Sequence, residues 1–107
     1  MEEYSSGEWL VKAGREEEFV QTWREFADAA SQGPDDWATL LRDRGNPRHF
    51  RSVGLWRDSE QAVAWRASDR FKSGMESLRE LLESGGVELF DEATHVGGEV
   101  RAGAIGR

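Results

Sequence analysis

Residues 37–71, WATLLRDRGNPRHFRSVGLWRDSEQAVAWRASDRF, decide the fold. Two apolar runs, 37–42 and 48–56, flank a short segment of turn-forming residues, and this pattern predicts a β-hairpin. Asp58 follows the second run, and Gln61 stands three residues later, at the spacing of a capping box that starts a helix. The stretch therefore predicts two paired strands followed directly by a helix.

The sequence on either side supplies the remaining elements. Residues 7–12 and 87–96 are predicted to be strands. Residues 15–31 and the stretch that follows Ser68 repeat apolar residues at helical spacing, and Gly85-Gly86 is expected to end the second of these helices. The order is βαββααβ, which predicts an α+β, ferredoxin-like fold with a four-stranded antiparallel sheet and helices on one face.

A chain of 107 residues is long enough for one domain. Residues 1–6 are acidic and are expected to form a flexible N-terminal lead. Residues 7–97 are expected to form the folded domain. Residues 98–107 are rich in glycine and are expected to form a C-terminal tail outside it.

Composition excludes several classes of function. The 14 basic and 21 acidic residues give a net charge of −7, which argues against binding to nucleic acid or to an anionic membrane. The sequence has no cysteine and two histidines, so it offers no disulfide or thiolate chemistry, and no metal site is expected. No segment resembles a signal peptide or a membrane span, so a cytoplasmic location is expected.

The predicted strands carry large apolar residues on both faces of the sheet. Residues Trp37 and Leu41 alternate with Ala38 and Leu40, yet the chain has helices enough to cover one face only. Burial of apolar surface is worth roughly 25 cal/mol per Å², so the second face is expected to pack against another copy of the chain as a homodimer. The alternative is that short, twisted strands carry ordinary surface apolar residues.

The stretch WLVKAGREEEFVQTWREFA (9–27), the strand end at Trp56, the triplet 58–60 and the segment from Ala64 to Phe71 resemble the antibiotic biosynthesis monooxygenase family. The resemblance runs from about residue 7 to residue 96. It implies a dimeric α+β barrel with a small pocket between sheet and helices in each subunit. In members of this family that pocket holds a planar phenol, a quinol or a haem.

The resemblance implies a monooxygenase that acts on an aromatic polyphenol or quinol with no added cofactor. A deprotonated polyphenol can itself give an electron to oxygen, so the protein needs to supply an apolar slot, orientation and stabilisation of the anion. The alternative is a non-catalytic dimeric protein that binds a small aromatic molecule on the same fold, because a fold alone does not determine a function.

The resemblance argues against haem degradation. Haem-degrading relatives use an asparagine on the first strand and a tryptophan and a histidine one helix later. Trp65 matches that tryptophan, but Met75 stands where the histidine is expected. Asn46 is the only asparagine in the sequence, and it lies in the predicted hairpin turn.

The candidate site residues follow from these considerations. Arg51 alternates with Val53 and Leu55, so it could point to a buried region and stabilise a phenolate, or it could pair with an acidic residue. A histidine titrates near neutral pH, and a desolvated aspartate can act as a base. The predicted substrate pocket contains Trp65, Met75, Phe71 and Arg51, and the candidates for a catalytic base are His95 and Asp91.

Overall fold

In the computed structural model, which describes residues 3–97, four strands and three helices alternate in the predicted order. The sheet has the strand order β2-β3-β1-β4, and every neighbouring pair is antiparallel. The prediction of an α+β, ferredoxin-like fold is confirmed. The elements are β1 (Glu3–Val11), α1 (Glu16–Ala30), β2 (Trp37–Arg42), β3 (His49–Trp56), α2 (Ser59–Ala67), α3 (Asp69–Glu80) and β4 (Leu82–Phe90).

The helices pack on one face of the sheet, which we call the covered face. Trp9 of β1 lies opposite Phe50 of β3 on this face, and both side chains are buried. The ring of Phe19 from α1 lies 5.9 Å from the Trp9 ring and 5.1 Å from the Phe50 ring, between centroids. The remaining buried members of this core are Val11, Met75, Leu78, Leu81 and Leu82.

The starts of α2 and α3 follow the predicted capping chemistry. The Asp58 carboxylate accepts hydrogen bonds from the backbone N–H groups of Glu60 and Gln61, at 2.9 and 3.4 Å. The Ser68 hydroxyl accepts one from the backbone N–H of Phe71, at 3.1 Å. These contacts satisfy N–H groups that a helix cannot pair internally, and they fix where α2 ends and α3 begins.

Strand β1 is longer than expected. It begins at Glu3, so the prediction of a flexible lead over residues 1–6 is wrong for residues 3–6. The physical reason is that Tyr4, Ser5 and Ser6 pair with β3 on one side and with β4 on the other. A central position in the sheet satisfies the backbone groups of this acidic segment.

Strand β4 starts and ends earlier than the predicted range of 87–96. Helix α3 ends at Glu80, and Gly85 and Gly86 lie inside the strand instead of stopping the helix. Gly85 has a φ of 152°, and a Cβ added there would lie 2.7 Å from the Glu8 carbonyl oxygen. The glycine is therefore needed for close pairing with β1. The predicted tail over residues 98–107 lies outside the described residues.

No helix of residues 3–97 covers the opposite face of the sheet, which we call the open face. One apolar row crosses all four strands there, because the register places Trp37, Leu55, Tyr4 and Phe90 side by side. Phe90 is 52% exposed, whereas Trp37 and Leu55 are buried. The opposite end of this face is charged. The predicted alternation of apolar residues on both faces is thus present.

Candidate functional site

A cavity of about 270 Å³ lies between the covered face of the sheet and the helices. Ligand pockets commonly range over about 300–1,000 Å³, so this cavity suits a small ligand. All three helices and all four strands contribute to its lining. The lining residues are Ser5, Trp9, Trp23, Phe26, Ala27, Ala38, Ser52, Val53, Gly54, Trp56, Trp65, Arg66, Phe71, Val87 and Leu89.

Three aromatic rings form the helical wall of the cavity. The ring centroids of Phe26 and Trp65 are 5.5 Å apart, those of Phe26 and Phe71 are 5.9 Å apart, and those of Trp65 and Phe71 are 6.0 Å apart. These separations are typical of tilted and edge-to-face aromatic contacts. Gly74 of α3 admits the Phe26 ring, because a Cβ there would lie 2.4 Å from Phe26 Cδ1. The rings hold one another in place, and because their planes are inclined by 44–80° they present both ring faces and ring edges to the cavity.

The strands form a floor that is partly polar. The Ser52 hydroxyl accepts a hydrogen bond from the Trp9 indole Nε1–H at 3.1 Å. Gly7 lies opposite Ser52, and a Cβ there would lie 2.4 Å from Ser52 Oγ. Gly54 lies opposite Ser5 in the register. Because Gly54 has no side chain, it leaves space for the Ser5 hydroxyl, which a Cβ there would approach to 3.0 Å. Two serine hydroxyls, those of Ser5 and Ser52, therefore face the cavity.

Arg66 is the only ionisable side chain in the lining described within residues 3–97. Its guanidinium Nη1 donates to the Glu3 carboxylate at 2.7 Å, and both side chains are largely shielded from solvent. The ion pair connects α2 to the first residues of β1 and fixes the arginine at the cavity. Val87 and Leu89, both on edge strand β4, line the cavity and are 42% and 48% exposed. They mark where it opens to solvent.

The structure brings together two of the four predicted pocket residues. Trp65 and Phe71 line the cavity side by side. Met75 is buried in the neighbouring core and does not line the cavity. Arg51 lies on the open face, where its guanidinium is 3.6 Å from the Glu8 carboxylate. It does share a strand face with Val53 and Leu55, and of these three residues Val53 alone is among the lining residues.

The candidate bases also lie away from the cavity. Asp91 and His95 follow the end of β4 and line a shallow depression on the open face, beside Trp37 and Phe90. In the same depression the Tyr4 hydroxyl donates to the neighbouring carboxylate of Glu92 at 2.9 Å. Burial, together with that hydrogen bond, raises the pKa of Tyr4. The sheet thus separates the candidate bases from the aromatic pocket.

Several cavity residues were not singled out from the sequence. Trp23 and Phe26 belong to the apolar stripe of α1, where helical spacing makes core and pocket residues look alike. Ser52 carried a usable signal, because it is the polar residue between Phe50 and Gly54 on the inward-facing positions of a strand. Arg66 directly follows Trp65, a predicted pocket residue, and this position is a sequence signal for Arg66.

The charged end of the open face centres on His49. Its Nδ1 lies 2.9 Å from an Asp43 carboxylate oxygen, and its Nε2 lies 3.1 Å from a Glu8 carboxylate oxygen. The Asp43 hydrogen bond, and after it the Glu8 hydrogen bond, raises the pKa of His49. The hydrogen bond with His49, and after it the Gly45 backbone N–H, lowers the pKa of Asp43. Protonated His49 is thus paired with one carboxylate on β1 and with another that directly follows β2.

Two further findings concern metal binding and membrane spans. Within residues 3–97 no group of three or more histidine, aspartate or glutamate side chains is placed to hold a metal ion. In the same residues no helix combines the length and the apolar composition that crossing a membrane requires.

Comparison with known sequences and folds agrees with this architecture. The profile of the family described as antibiotic biosynthesis monooxygenase matches residues 6–77. The molecule is thus an α+β domain with an aromatic cavity under its helices, and the chain belongs to the antibiotic biosynthesis monooxygenase family. No curated protein sequence matches it.

The solved structures similar to this chain share its fold at low sequence identity. SnoaB, a cofactor-independent oxygenase from Streptomyces nogalater, is 22% identical, with a TM-score of 0.79 for a mutant and 0.77 for a second crystal structure. The match covers 89% of this chain and 96% of SnoaB. A conserved protein from Methanosarcina mazei Go1 is 16% identical with a TM-score of 0.71, and the match covers 84% of this chain and 91% of that one.

Proposed function

We propose that the protein is a cofactor-independent monooxygenase that oxidises a small aromatic phenol or quinol in the cavity under its helices. The observation that carries the proposal is the lining itself, in which aromatic rings surround the space and one arginine stands at its edge. Family membership and the fold shared with the oxygenase SnoaB support the reaction class. The cytoplasmic location predicted from the sequence stays a prediction.

The aromatic wall suits a flat ligand. Phe26, Trp65 and Phe71 offer ring faces and edges to a planar molecule, and such contacts contribute about 0.5–1.5 kcal/mol each beyond the area they bury. An apolar slot also excludes water, which strengthens the interaction of any charge with Arg66. A flat molecule with one oxygen anion fits both features.

The reaction needs no reductant besides the substrate. The bound phenolate gives one electron to O₂, and the resulting phenoxyl radical and superoxide combine at a ring carbon to form a C–O bond. The ring proton leaves, the O–O bond breaks and water departs, so that the C–H group becomes a quinone carbonyl. One oxygen atom of O₂ stays on the ring. The other combines with the phenol proton and the ring proton and leaves as water.

Arg66 supplies the anion stabilisation in this scheme. Its guanidinium favours the phenolate over the phenol, and it also favours the superoxide and peroxide anions that follow. Glu3 holds that guanidinium in place through the contact at 2.7 Å. Since Arg66 is the only ionisable lining residue among those described, the cation rather than a side-chain base is proposed to set the protonation state of the substrate.

We also propose that two copies pack through their open faces to form a dimeric barrel. Leu41 and Phe90 are each 52% exposed on this face, and contact with a second copy would bury both of them. Sedimentation equilibrium should then return twice the chain mass of 12.1 kDa. A monomer at micromolar concentration would overturn this part of the proposal.

The second candidate function is a binding protein without oxygenase activity. The observation that favours it is the lack of a carboxylate or imidazole in the lining described within residues 3–97. Such a protein would hold the same flat ligand but would leave oxygen unreduced.

Oxygen consumption separates the two candidates. We expect a dihydroxynaphthalene to be oxidised above its spontaneous rate, and we expect Arg66→Gln to lower kcat/KM about tenfold, which corresponds to about 1.4 kcal/mol of transition-state stabilisation. Arg70→Gln is the matched control, because Arg70 is exposed on α3 and lies outside the cavity lining. Saturable binding of dihydroxynaphthalene with no oxygen uptake would overturn the oxygenase proposal and support the non-catalytic binding protein.

A further inference from the structure

Ser52 is the only polar side chain that is buried among residues 3–97, with 8% of its surface exposed. It lies on the covered face in the middle of the sheet, at the floor of the cavity. A polar group in that position loses its hydration, and this costs free energy unless hydrogen bonds replace the lost water. The position therefore calls for a partner.

The neighbouring residues hold the Ser52 hydroxyl in a defined orientation. Its oxygen accepts from Trp9 Nε1 at 3.1 Å, and a hydroxyl that accepts in this way keeps its own proton to donate. Gly7 leaves the space for that contact, because a Cβ there would lie 2.4 Å from Ser52 Oγ and 2.6 Å from Trp9 Nε1. The floor thus holds a hydroxyl donor beside an indole.

The volume of the cavity limits the size of a ligand that can bind beside the Ser52 hydroxyl. An apolar cavity of about 150 Å³ is enough to hold benzene. The present cavity, at about 270 Å³, is nearly twice as large. Two fused aromatic rings therefore fit it better than a single ring or an extended polycyclic system.

We propose that Ser52 is the specificity-determining residue of this cavity and that it selects two-ring aromatic ligands bearing a ring oxygen, to which it donates a hydrogen bond. The inference rests on the proposed function, since it concerns the same cavity, and it names the substrate class. Ser52 acts on the ligand directly, and Trp9 is a positioning residue that acts through Ser52.

The test compares two ligands that differ by one hydroxyl. Binding of 2-naphthol and of naphthalene is measured by calorimetry under nitrogen, which prevents oxidation. The preference of Ser52→Ala for 2-naphthol over naphthalene serves as the reference. A net hydrogen bond contributes about 0.5–1.5 kcal/mol, so we expect the preference of the wild-type protein to exceed this reference about twofold to tenfold. Ser6→Ala is the matched control, because Ser6 belongs to the open face of β1.

The ratio of the two affinities separates a specificity role from a structural one. If Ser52→Ala binds naphthalene as the wild type does and loses most of its preference for 2-naphthol, the proposal stands. If Ser52→Ala weakens both ligands equally, or leaves the ratio unchanged, the proposal is overturned. Ser52→Cys fills nearly the same space with a weak donor, so it should show the same loss of preference even if the alanine variant is too unstable to measure.

Failure of this inference and failure of the oxygenase proposal are distinguishable. Oxygen uptake with dihydroxynaphthalene, together with an unchanged affinity ratio in Ser52→Ala, would remove the role of Ser52 and keep the enzyme. A ratio that depends on Ser52, together with no oxygen uptake, would keep the selectivity and assign it to a binding protein.

Discussion

The two faces of the sheet use the same strands for different purposes. On the covered face, Trp9 and Phe50 pack against Phe19, and beside this core the chain leaves a cavity. On the open face, an apolar row ends at Phe90, and a cluster of charges surrounds His49. The covered face is completed within one chain, whereas the open face has exposed apolar groups and no helix of residues 3–97 above it. The proposed ligand binding and the proposed dimerisation would thus use opposite faces of one sheet.

The largest expected effect is on the covered face. Phe19→Ala removes a fully buried ring that contacts Trp9 and Phe50, and we expect it to lower the free energy of unfolding by about 3–5 kcal/mol. Urea denaturation followed by tryptophan fluorescence measures the change. Leu41→Ala, on the open face, is the comparison, and its loss in the free energy of unfolding should be smaller. An equal loss for the two variants, measured where the protein is monomeric, would show that the two faces do not differ in packing.

The next effect concerns assembly. Phe90→Asp places a charge in the apolar row of the open face, and we expect the dimer dissociation constant to rise about 30-fold or more, the equivalent of about 2 kcal/mol. Sedimentation velocity over a range of concentrations measures it. Val63→Asp is the control, because Val63 is similarly exposed but lies on α2, and a shift of the same size there would argue against the open face as the interface.

A smaller effect is expected at the glycines. Gly7→Ala forces a Cβ into the Ser52–Trp9 contact, and we expect a loss of about 1–3 kcal/mol in the free energy of unfolding. Gly86→Ala meets no atom within 4 Å and should change stability by about 0.5 kcal/mol or less. Thermal melts of both variants check the contrast. Equal effects would mean that the floor of the cavity adapts easily.

The smallest effect is the pH dependence of the charged cluster. The raised pKa of His49 means that its stabilising contribution is complete below the ordinary value of about 6.5 and is lost as the pH rises through the folded-state value. The difference in melting temperature between wild type and His49→Asn should therefore be larger at about pH 5.5 than at about pH 8.5. A difference that is larger at the higher pH would contradict the pairing of His49 with Asp43 and Glu8.

The sequence predicts the fold well and the site in part. Alternation and capping residues were sufficient to place β2, β3 and the start of α2, because these signals are local. The predicted bounds of β4 are wrong because a pair of glycines is typical of the end of a helix. Here Gly85 lies inside the strand, where it is needed for close approach to Glu8. Such a tertiary requirement has no local signal.

The site shows the same limit. Period-two alternation correctly grouped Arg51 with Val53 and Leu55, but it does not say which face the helices cover. Arg66 of α2 is held at the cavity by its contact with Glu3, the first residue of β1. The cation of the cavity therefore depends on a contact between residues 63 positions apart, which the sequence does not display.

Strand alternation also has an evolutionary consequence. On β3, the side chains of even-numbered residues such as Ser52 lie on the covered face, and those of odd-numbered residues such as Leu55 lie on the open face. Adjacent codons thus specify side chains on opposite faces of the sheet. Under the proposed ligand site and the proposed dimer, substitutions at one parity would change what the protein recognises, while the other parity would preserve the contact between two copies.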